Sequence, residues 1–364
     1  MSIGSPTSIT FRVITDTAEL FTLEAEWADL WAADPSATIF QSPDWLLTWI
    51  QVYWEQGWQL YTLAGYEQGR LRVLAPMYIQ PGRVFRQPTI GFPLGQGEEE
   101  EKEVASEYLD FLVTPGLEAV AYSTLADWIT KLDVDMIRWR AARMNGHAWN
   151  VFSKLENCRS QSGVSYRVDS KSWTMETLGR STRARWRRIQ NTLKKRHSEF
   201  LWVHGHEQES LWPNLSDLHQ TYWQNKGKLG AFIAEEFSTF HRTFRKATKN
   251  NASCMSCLLI DGSIVAINYY LISKETLFYY QSGWNLDHGK LSPGLALHLW
   301  SIKNNPTRYY DFMLGASDGS YKKRFGCEEL SMIEFYQVRR RLPLLLSFLY
   351  RRLIGVGRFM ARLR

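Results

Sequence analysis

Apolar residues recur along this chain at two spacings, three or four apart and every second residue, and the alternation between them marks out helices and strands. In TDTAELFTLEAEWADLW, the residues Leu20, Leu23, Trp27 and Leu30 share one helical face, which predicts an amphipathic helix over 11–31 opened by Asp16 or Thr17. IFQSPDWLLTWIQVYW repeats the device, with Ser42 as N-cap and Pro43 as first helical residue. WQLYTLAGY and RLRVLAPMYI read as strands turning at Gln68 and Gly69, and residues 85–92 as a shorter strand. A strand in YLDFLVTP, a helix over 117–132, a strand in DMIRWRAAR and a short helix over 148–157 follow. Further on, Trp186, Ile189 and Leu193 form the apolar stripe of a basic helix, and FLWVHGH reads as a strand. Helices in LWPNLSDLHQTYWQNKG and over 235–250 precede a hairpin, SCMSCLLIDG and SIVAINYYLIS, turning at Asp261 and Gly262. Strands alternating with helices predict an α/β (α+β) protein with mixed sheets flanked by helices.

Residues 277–326 hold the densest order of signals. LFYYQSGWN has the alternation of a strand, DHGKL is a loop, and SPGLALHLW opens a helix with Ser292 as N-cap and Pro293 as first residue. Gly294 keeps that helix start uncluttered, so its free N–H groups and the positive end of its dipole can face an anion such as a pyrophosphate. Ser-Pro-Gly also opens helices that bind nothing. A second strand, RYYDFMLG, ends in the Gly-rich turn ASDGS and the segment YKKRFG.

Composition narrows the class. A chain of 364 residues accommodates two domains, and 45% apolar with 22% charged residues fits a soluble globular protein. Its 16 Trp, 17 Tyr and 18 Phe favour deep cores or broad clefts. MSIGSPTSITF has neither a basic nor an apolar signal region, so a cytoplasmic protein with reduced thiols is expected. Cys254 and Cys257 form one C-x-x-C pair with no second pair or histidine partner, so a buried strand is expected there and no metal. The acidic run in residues 97–103 reads as a solvated loop.

Net charge is +6, yet residues 180–196 and 338–364 each hold eight Lys or Arg and no acid, which leaves −10 on everything else. The first segment is a solvated basic helix or a surface for phosphates of a cofactor, nucleic acid or lipid. In residues 342–364, Leu345, Leu349, Leu353, Val356, Met360 and Leu363 form an apolar stripe opposite Arg351, Arg358 and Arg362. That tail is too short in its uncharged run to span a membrane, which takes about 20 apolar residues. It suits a docked helix or an interfacial one on an anionic membrane surface.

The order of parts resembles GNAT-type acyltransferases, in particular the branch of CelD-like acetyltransferases of cellulose biosynthesis. The matching residues are Tyr279, Tyr280, Ser282, Gly283 and Trp284, then Ser292, Pro293 and Gly294, then Asp311, then Tyr321 and Lys322. Phe40, Ser42, Pro43 and Trp45, and His219, Trp223, Lys226 and Gly227, fit the same pattern, and the resemblance spans most of residues 38–337. It implies tandem GNAT-like acyl-CoA N-acyltransferase domains: a degenerate one over 1–175, a catalytic one over 176–337, and the basic helix over 338–364. The common GNAT pyrophosphate signature, Gln or Arg-x-x-Gly-x-Gly or Ala, is replaced here by DHGKLSPG.

The resemblance further implies acetyl-CoA or another acyl-CoA as donor, bound at Ser282, Gly283, Ser292, Pro293 and Gly294, and direct transfer to an amine or hydroxyl in exopolysaccharide or cell-envelope synthesis. Residues 277–283 and 308–314 would be the splayed strands whose backbone N–H groups polarise the thioester. Tyr321 would be the acid beside the departing thiolate, or a packing aromatic. Lys322 would aid it, contact phosphate or lie at the surface. Asp311 would act as base, orient one or simply be satisfied at a strand end. His219 and His241 are the other possible bases. No G-x-S-x-G nucleophile motif favours an acyl-enzyme. Two alternatives stand beside this: a Fem-type transferase using aminoacyl-tRNA, which residues 180–196 also suit and which alone would bring in nucleic acid, and a non-catalytic membrane-associated partner of a polysaccharide synthase at the inner face of the membrane.

Overall fold

In the computed structural model, which describes residues 9–82, 87–249, 251–314 and 321–340, the chain opens with a strand, β1 (Thr10–Ile14), where the sequence pattern predicts helix. Asp16 then caps α1 (Thr17–Thr22), accepting from the Ala18 N–H at 2.9 Å, and a break at Leu23 separates it from α2 (Glu24–Ala33). The helix α3 (Pro43–Tyr53) starts as its signals require, the Ser42 hydroxyl accepting from Trp45 N–H at 3.2 Å. Next come β2 (Gln59–Leu60), β3 (Thr62–Glu67), β4 (Arg70–Ala75) and β5 (Met77–Gln80). Pro76, with no N–H to give, splits the single strand expected in RLRVLAPMYI into β4 and β5, which join different sheets. The elements β6 (Ile90–Pro93), β7 (Leu112–Val113), α4 (Glu118–Thr130), β8 (Met136–Arg143), α5 (His147–Phe152) and β9 (Cys158–Asp169) follow.

The chain divides into two units, one from Met1–Gly97, Ser106–Ser162 and Ile333–Arg364, the other from Glu98–Ala105 and Gly163–Met332. In the first, an antiparallel sheet has the order β1-β3-β4-β7, and β8, β6, β5 and β2 are neighbours in another.

The second unit contains α6 (Arg180–Leu193), β10 (Ser198–Val203), α7 (Gln208–Gln224), α8 (Glu235–Ala247), β11 (Ser253–Ile260), β12 (Ser263–Ser273), β13 (Thr276–Trp284), α9 (Pro293–Lys303) and β14 (Tyr309–Leu314). A last strand, β15 (Glu328–Val338), starts in this unit and ends in the other, and β9 does the reverse. Strand order here is β10-β11-β12-β13-β14-β9-β15. Asp261 and Gly262, both at positive φ (51° and 77°), make the tight turn of the β11–β12 hairpin.

Helices cover both faces of this sheet. Trp186, Ile189 and Leu193 of α6 are buried in one core with Ala296, Leu299 and Ile302 of α9 and Leu258, Tyr270 and Leu277 of the strands. Each such buried anchor is worth about 1.5–3 kcal/mol, enough to hold a helix otherwise made of cations. On the opposite face, Tyr269 and Tyr280 pack edge-on against His241 of α8, and Tyr269 also meets Trp212 of α7. Cys254 and Cys257 are buried on β11 and, three apart on a strand, face opposite ways. Among the described residues, no group of three His, Cys, Asp or Glu is placed to hold a metal ion, and no helix is long and apolar enough to cross a membrane. Residues 342–364 lie outside the described residues.

Candidate active site

The parallel strands β13 and β14 pair at three positions only, Thr276 with Tyr309, Leu277 with Tyr310 and Phe278 with Asp311. Beyond them β13 pairs with β12 as far as Trp284, and β14 stays with β9. The two strands therefore splay where residues 277–283 and 308–314 were expected to, leaving one edge of residues 279–284 unpaired with β14.

Two residues singled out as chemistry candidates fasten the end of β14. Asp311 is buried, and its carboxylate accepts from the Met313 N–H at 2.6 Å, holding Met313 in a left-handed conformation (φ 60°). Lys322 is buried too, and its ammonium donates to the carbonyls of Phe312 (2.6 Å) and Leu314 (2.7 Å). Neither lines the cavity described next.

That cavity, of about 490 Å³, opens beside the splayed strands. His219, Ser282, Gly283, Ser292, Pro293, Gly294 and Tyr321 all line it, so the structure brings seven of the ten sequence candidates together and leaves Asp311, Lys322 and His241 outside its lining. Ser292 differs from its expected role. It stands at the N-cap position of α9 in a left-handed conformation (φ 52°, ψ 57°) with no side-chain cap, and its hydroxyl accepts from Arg185 of α6 instead. The first-turn N–H groups of α9 are thus left without a side-chain acceptor at the cavity. Gly294 leaves this surface bare: a Cβ there would stand 3.7 Å from the Trp284 ring. Gly283 has a packing cause, since its Cβ would meet Leu218 Cβ at 2.6 Å and the His219 nitrogen at 2.7 Å, so only glycine lets α7 close onto β13.

The imidazole of His219 is committed on both sides, Nδ1 2.8 Å from the Ser282 carbonyl and Nε2 accepting from Ala231 N–H at 3.3 Å. Burial lowers its pKa, partly offset by the Ser282 bond, so it is neutral and ties α7 to β13. Tyr321 is 45% exposed, and the hydroxyl of the neighbouring Tyr279 lies 2.5 Å from the Ser282 hydroxyl. Partial burial, then the Tyr279 neighbour, raises the Tyr321 pKa, so the phenol stays protonated at neutral pH. The described lining has two cations, Arg185 and Arg324, and no carboxylate.

The lining also contains residues that the sequence reading did not single out, among them Arg185, Asn268, Arg324 and His298. His298 stands four residues after Gly294 and so on the same face of α9, a spacing that would have pointed to it. Its ring packs at 4.5 Å, edge-on, against Tyr279. Burial, then the charge of Lys322, pushes its pKa down to about 3.

Residues 180–323 match the acetyltransferase (GNAT) domain family. All of the lining up to Tyr321 falls within that match. Among solved structures, the chain is similar to FemX, at a TM-score of 0.60 and 11% identity over 91% of this chain and 98% of that one. The C-terminal domain of a protein described as a lysylphosphatidylglycerol synthetase from Agrobacterium fabrum aligns at a TM-score of 0.53 and 11% identity, over 91% and 95%. L-PGS from Bacillus licheniformis aligns at 0.51 and 14%, over 86% and 97%. At such identities the likeness is one of fold, and it extends over both units. No curated protein matches the chain by sequence. The fold is a mixed α/β one of GNAT type, with sheets flanked by helices.

Proposed function

We propose that the second unit is an acyltransferase that moves an acyl group from acyl-CoA, acetyl-CoA being the simplest, directly to an acceptor held in the same cavity. The observation that carries this reading is the parting of β13 and β14 beside a cavity where the uncapped start of α9 meets Arg185. The pyrophosphate would take the first-turn N–H groups of α9 and the Arg185 guanidinium. The thioester carbonyl would lie in the gap, polarised by backbone N–H of β13, and Tyr321 would protonate the departing thiolate. Ser282 would hold Tyr279 and through it Tyr321, and His219 would keep α7 against the site. Asp311 and Lys322 would act through β14 and not on the reacting atoms.

An acceptor in exopolysaccharide or cell-envelope synthesis, and membership of the CelD-like branch, rest on the motifs at 279–294 and belong to this proposal, as does contact of residues 342–364 with an anionic membrane. A second reading, aminoacyl-tRNA as donor, is favoured by residues 180–196, where Arg180, Arg187, Arg188, Lys194 and Lys195 are exposed. Calorimetric titration with acetyl-CoA and gel-shift titration with bulk tRNA separate the two. Saturable binding of acetyl-CoA, weakened in Gly294→Trp, is the expected result, and tRNA binding without acetyl-CoA binding would transfer the conclusion to the second donor.

A further inference from the structure

Tyr310 fixes which imidazole nitrogen of His298 is left to the cavity. Nδ1 of His298 lies 2.7 Å from the Tyr310 hydroxyl, and Tyr310 directs its proton to the Tyr270 hydroxyl at 3.3 Å. Tyr270 also accepts from Asn268 Nδ2 at 2.9 Å and shares a bond of 3.0 Å with Ser256, which accepts from Ser301. A phenol has one proton, so with it directed to Tyr270 the Tyr310 oxygen accepts from the imidazole. Nδ1 therefore carries the hydrogen of the neutral ring and Nε2 keeps its lone pair. Nε2 has no hydrogen-bond partner among the described residues and is not one of the fully enclosed, unpartnered polar atoms, while its ring lines the cavity. The chain behind it is buried throughout, which leaves the tautomer little freedom.

We infer that His298 is the proton acceptor of the transfer and Tyr310 the residue that positions it, an inference that rests on acyl transfer in this cavity. The nitrogen lone pair of a neutral amine attacks the thioester carbonyl carbon, and collapse of the adduct breaks the C–S bond. The surplus N–H proton passes to Nε2 of His298, and the thiolate takes the hydroxyl proton of Tyr321. The imidazolium then returns its proton through bulk solvent to the tyrosinate, the two ring centres being 6.3 Å apart. Amide and free thiol leave, and both side chains are restored.

The titratable groups facing the His298 ring are Tyr279, Tyr310, Tyr321 and Lys322, with no carboxylate among the described residues. A ring so surrounded is a weak base that stays neutral. The cationic adduct of an amine, far more acidic than an ammonium ion, is the proton donor such a weak base can serve, and a hydroxyl gains little from it. The acceptor class is accordingly a primary or secondary amine.

Long-range proton–nitrogen NMR of the full-length protein labelled with ¹⁵N-histidine reads the tautomer directly, His298 being assigned by its absence in His298→Gln. The expected result is an Nδ1–H ring that does not titrate between about pH 5.5 and 8 and that loses its tautomer preference in Tyr310→Phe. An Nε2–H ring in the wild-type protein overturns the proposal. Thiol release from acetyl-CoA with ethanolamine as amine gives the second arm. His298→Gln should lower kcat by ~10²-fold or more with acetyl-CoA affinity held within about twofold, and unchanged kcat overturns the role. Should His298→Gln fail to fold, Tyr310→Phe takes its place, with a fall in kcat of about tenfold or more and an altered pH profile expected. Failure of wild-type protein to bind acetyl-CoA would strike the acyl-CoA reading itself, so the two failures are told apart.

Discussion

Arg185, on the basic helix α6, donates a hydrogen bond to the hydroxyl of Ser292 at the head of α9, joining two segments 107 residues apart. The bond turns the Ser292 side chain away from the helix it would otherwise cap and brings a guanidinium to the free N–H groups. Under the proposed function, basic helix and anion seat would be one device. Arg185 is exposed, so Arg185→Gln should leave the melting temperature nearly unchanged. It should weaken acetyl-CoA binding about tenfold, the low end for loss of a charge-assisted hydrogen bond. Calorimetry at low and raised salt checks this: the wild type should lose more affinity with salt than the variant. Equal affinities would remove Arg185 from the site.

The two glycines of the cavity should respond oppositely to a methyl group. Gly283→Ala drives Cβ into the backbone of α7, with contacts of 2.6 and 2.7 Å to Leu218 and His219, and overpacking of that kind costs about 1–3 kcal/mol. Gly294→Ala meets only the Trp284 ring at 3.7 Å and should fold as well as the wild type. Thermal melts of the pair decide it, and equal stability of the two variants would contradict the close approach of α7.

Local chemistry made some of this legible in the sequence, and its limits are physical. The Asp261-Gly262 hairpin and the Ser42-Pro43 helix start depend on neighbours in sequence, and both form as read. β9 and β15 escaped notice because CRSQSGVSYRVD and EELSMIEFYQV carry polar residues whose partners are remote: Arg167 of one pairs with Glu328 of the other at 2.6 Å, 161 residues away. Lys322 sits in a polar run that looks solvated, and only the fold shows the strand-end carbonyls around it. Residues 279–294 were legible as a site because a strand, a loop and a helix start follow each other directly. The spacing from Gly294 could place His298 at that site but not assign its tautomer, which depends on Tyr310 and Tyr270 from other strands.

Lys322→Met tests the structural reading of the Tyr-Lys pair. The thioether fills the stem's volume but leaves the Phe312 and Leu314 carbonyls without their donor, so a loss of about 2–3 kcal/mol is expected from urea unfolding. Unchanged stability with abolished activity would return Lys322 to the chemistry.

Tyr321→Phe keeps the ring and deletes the hydroxyl beside Tyr279. If Tyr321 donates the proton to the thiolate, kcat should fall ~10²-fold or more with acetyl-CoA affinity retained. Thiol release measured with amine acceptor checks it, and full turnover would leave Tyr321 a packing residue.

Stability should fall on the acid side, and the sign follows from the histidines. Burial lowers the pKa of His219, of His241, where the charge of Arg245 adds to it, and of His298, the last to about 3. Below an unfolded value of about 6.5 the unfolded chain therefore binds more protons at these three sites, and stability is lost as pH falls through that value. His147 works the other way. Burial lowers it, but the hydrogen bond to Asp34 and the charge of Asp110 prevail and raise it, so its contribution is full below the unfolded value and fades as pH rises through the folded one. Asp34, held at about 2 against burial by His147 and Ser36, keeps its contribution until pH falls below the ordinary carboxylate range. Between about pH 7.5 and 5, three lowered histidines oppose one raised. The urea midpoint of the full chain should accordingly drop over that interval, and less so in His241→Phe, which removes one of the three. A midpoint that is flat or rises toward pH 5 would mean that these rings are protonated, or open to water, in the folded protein.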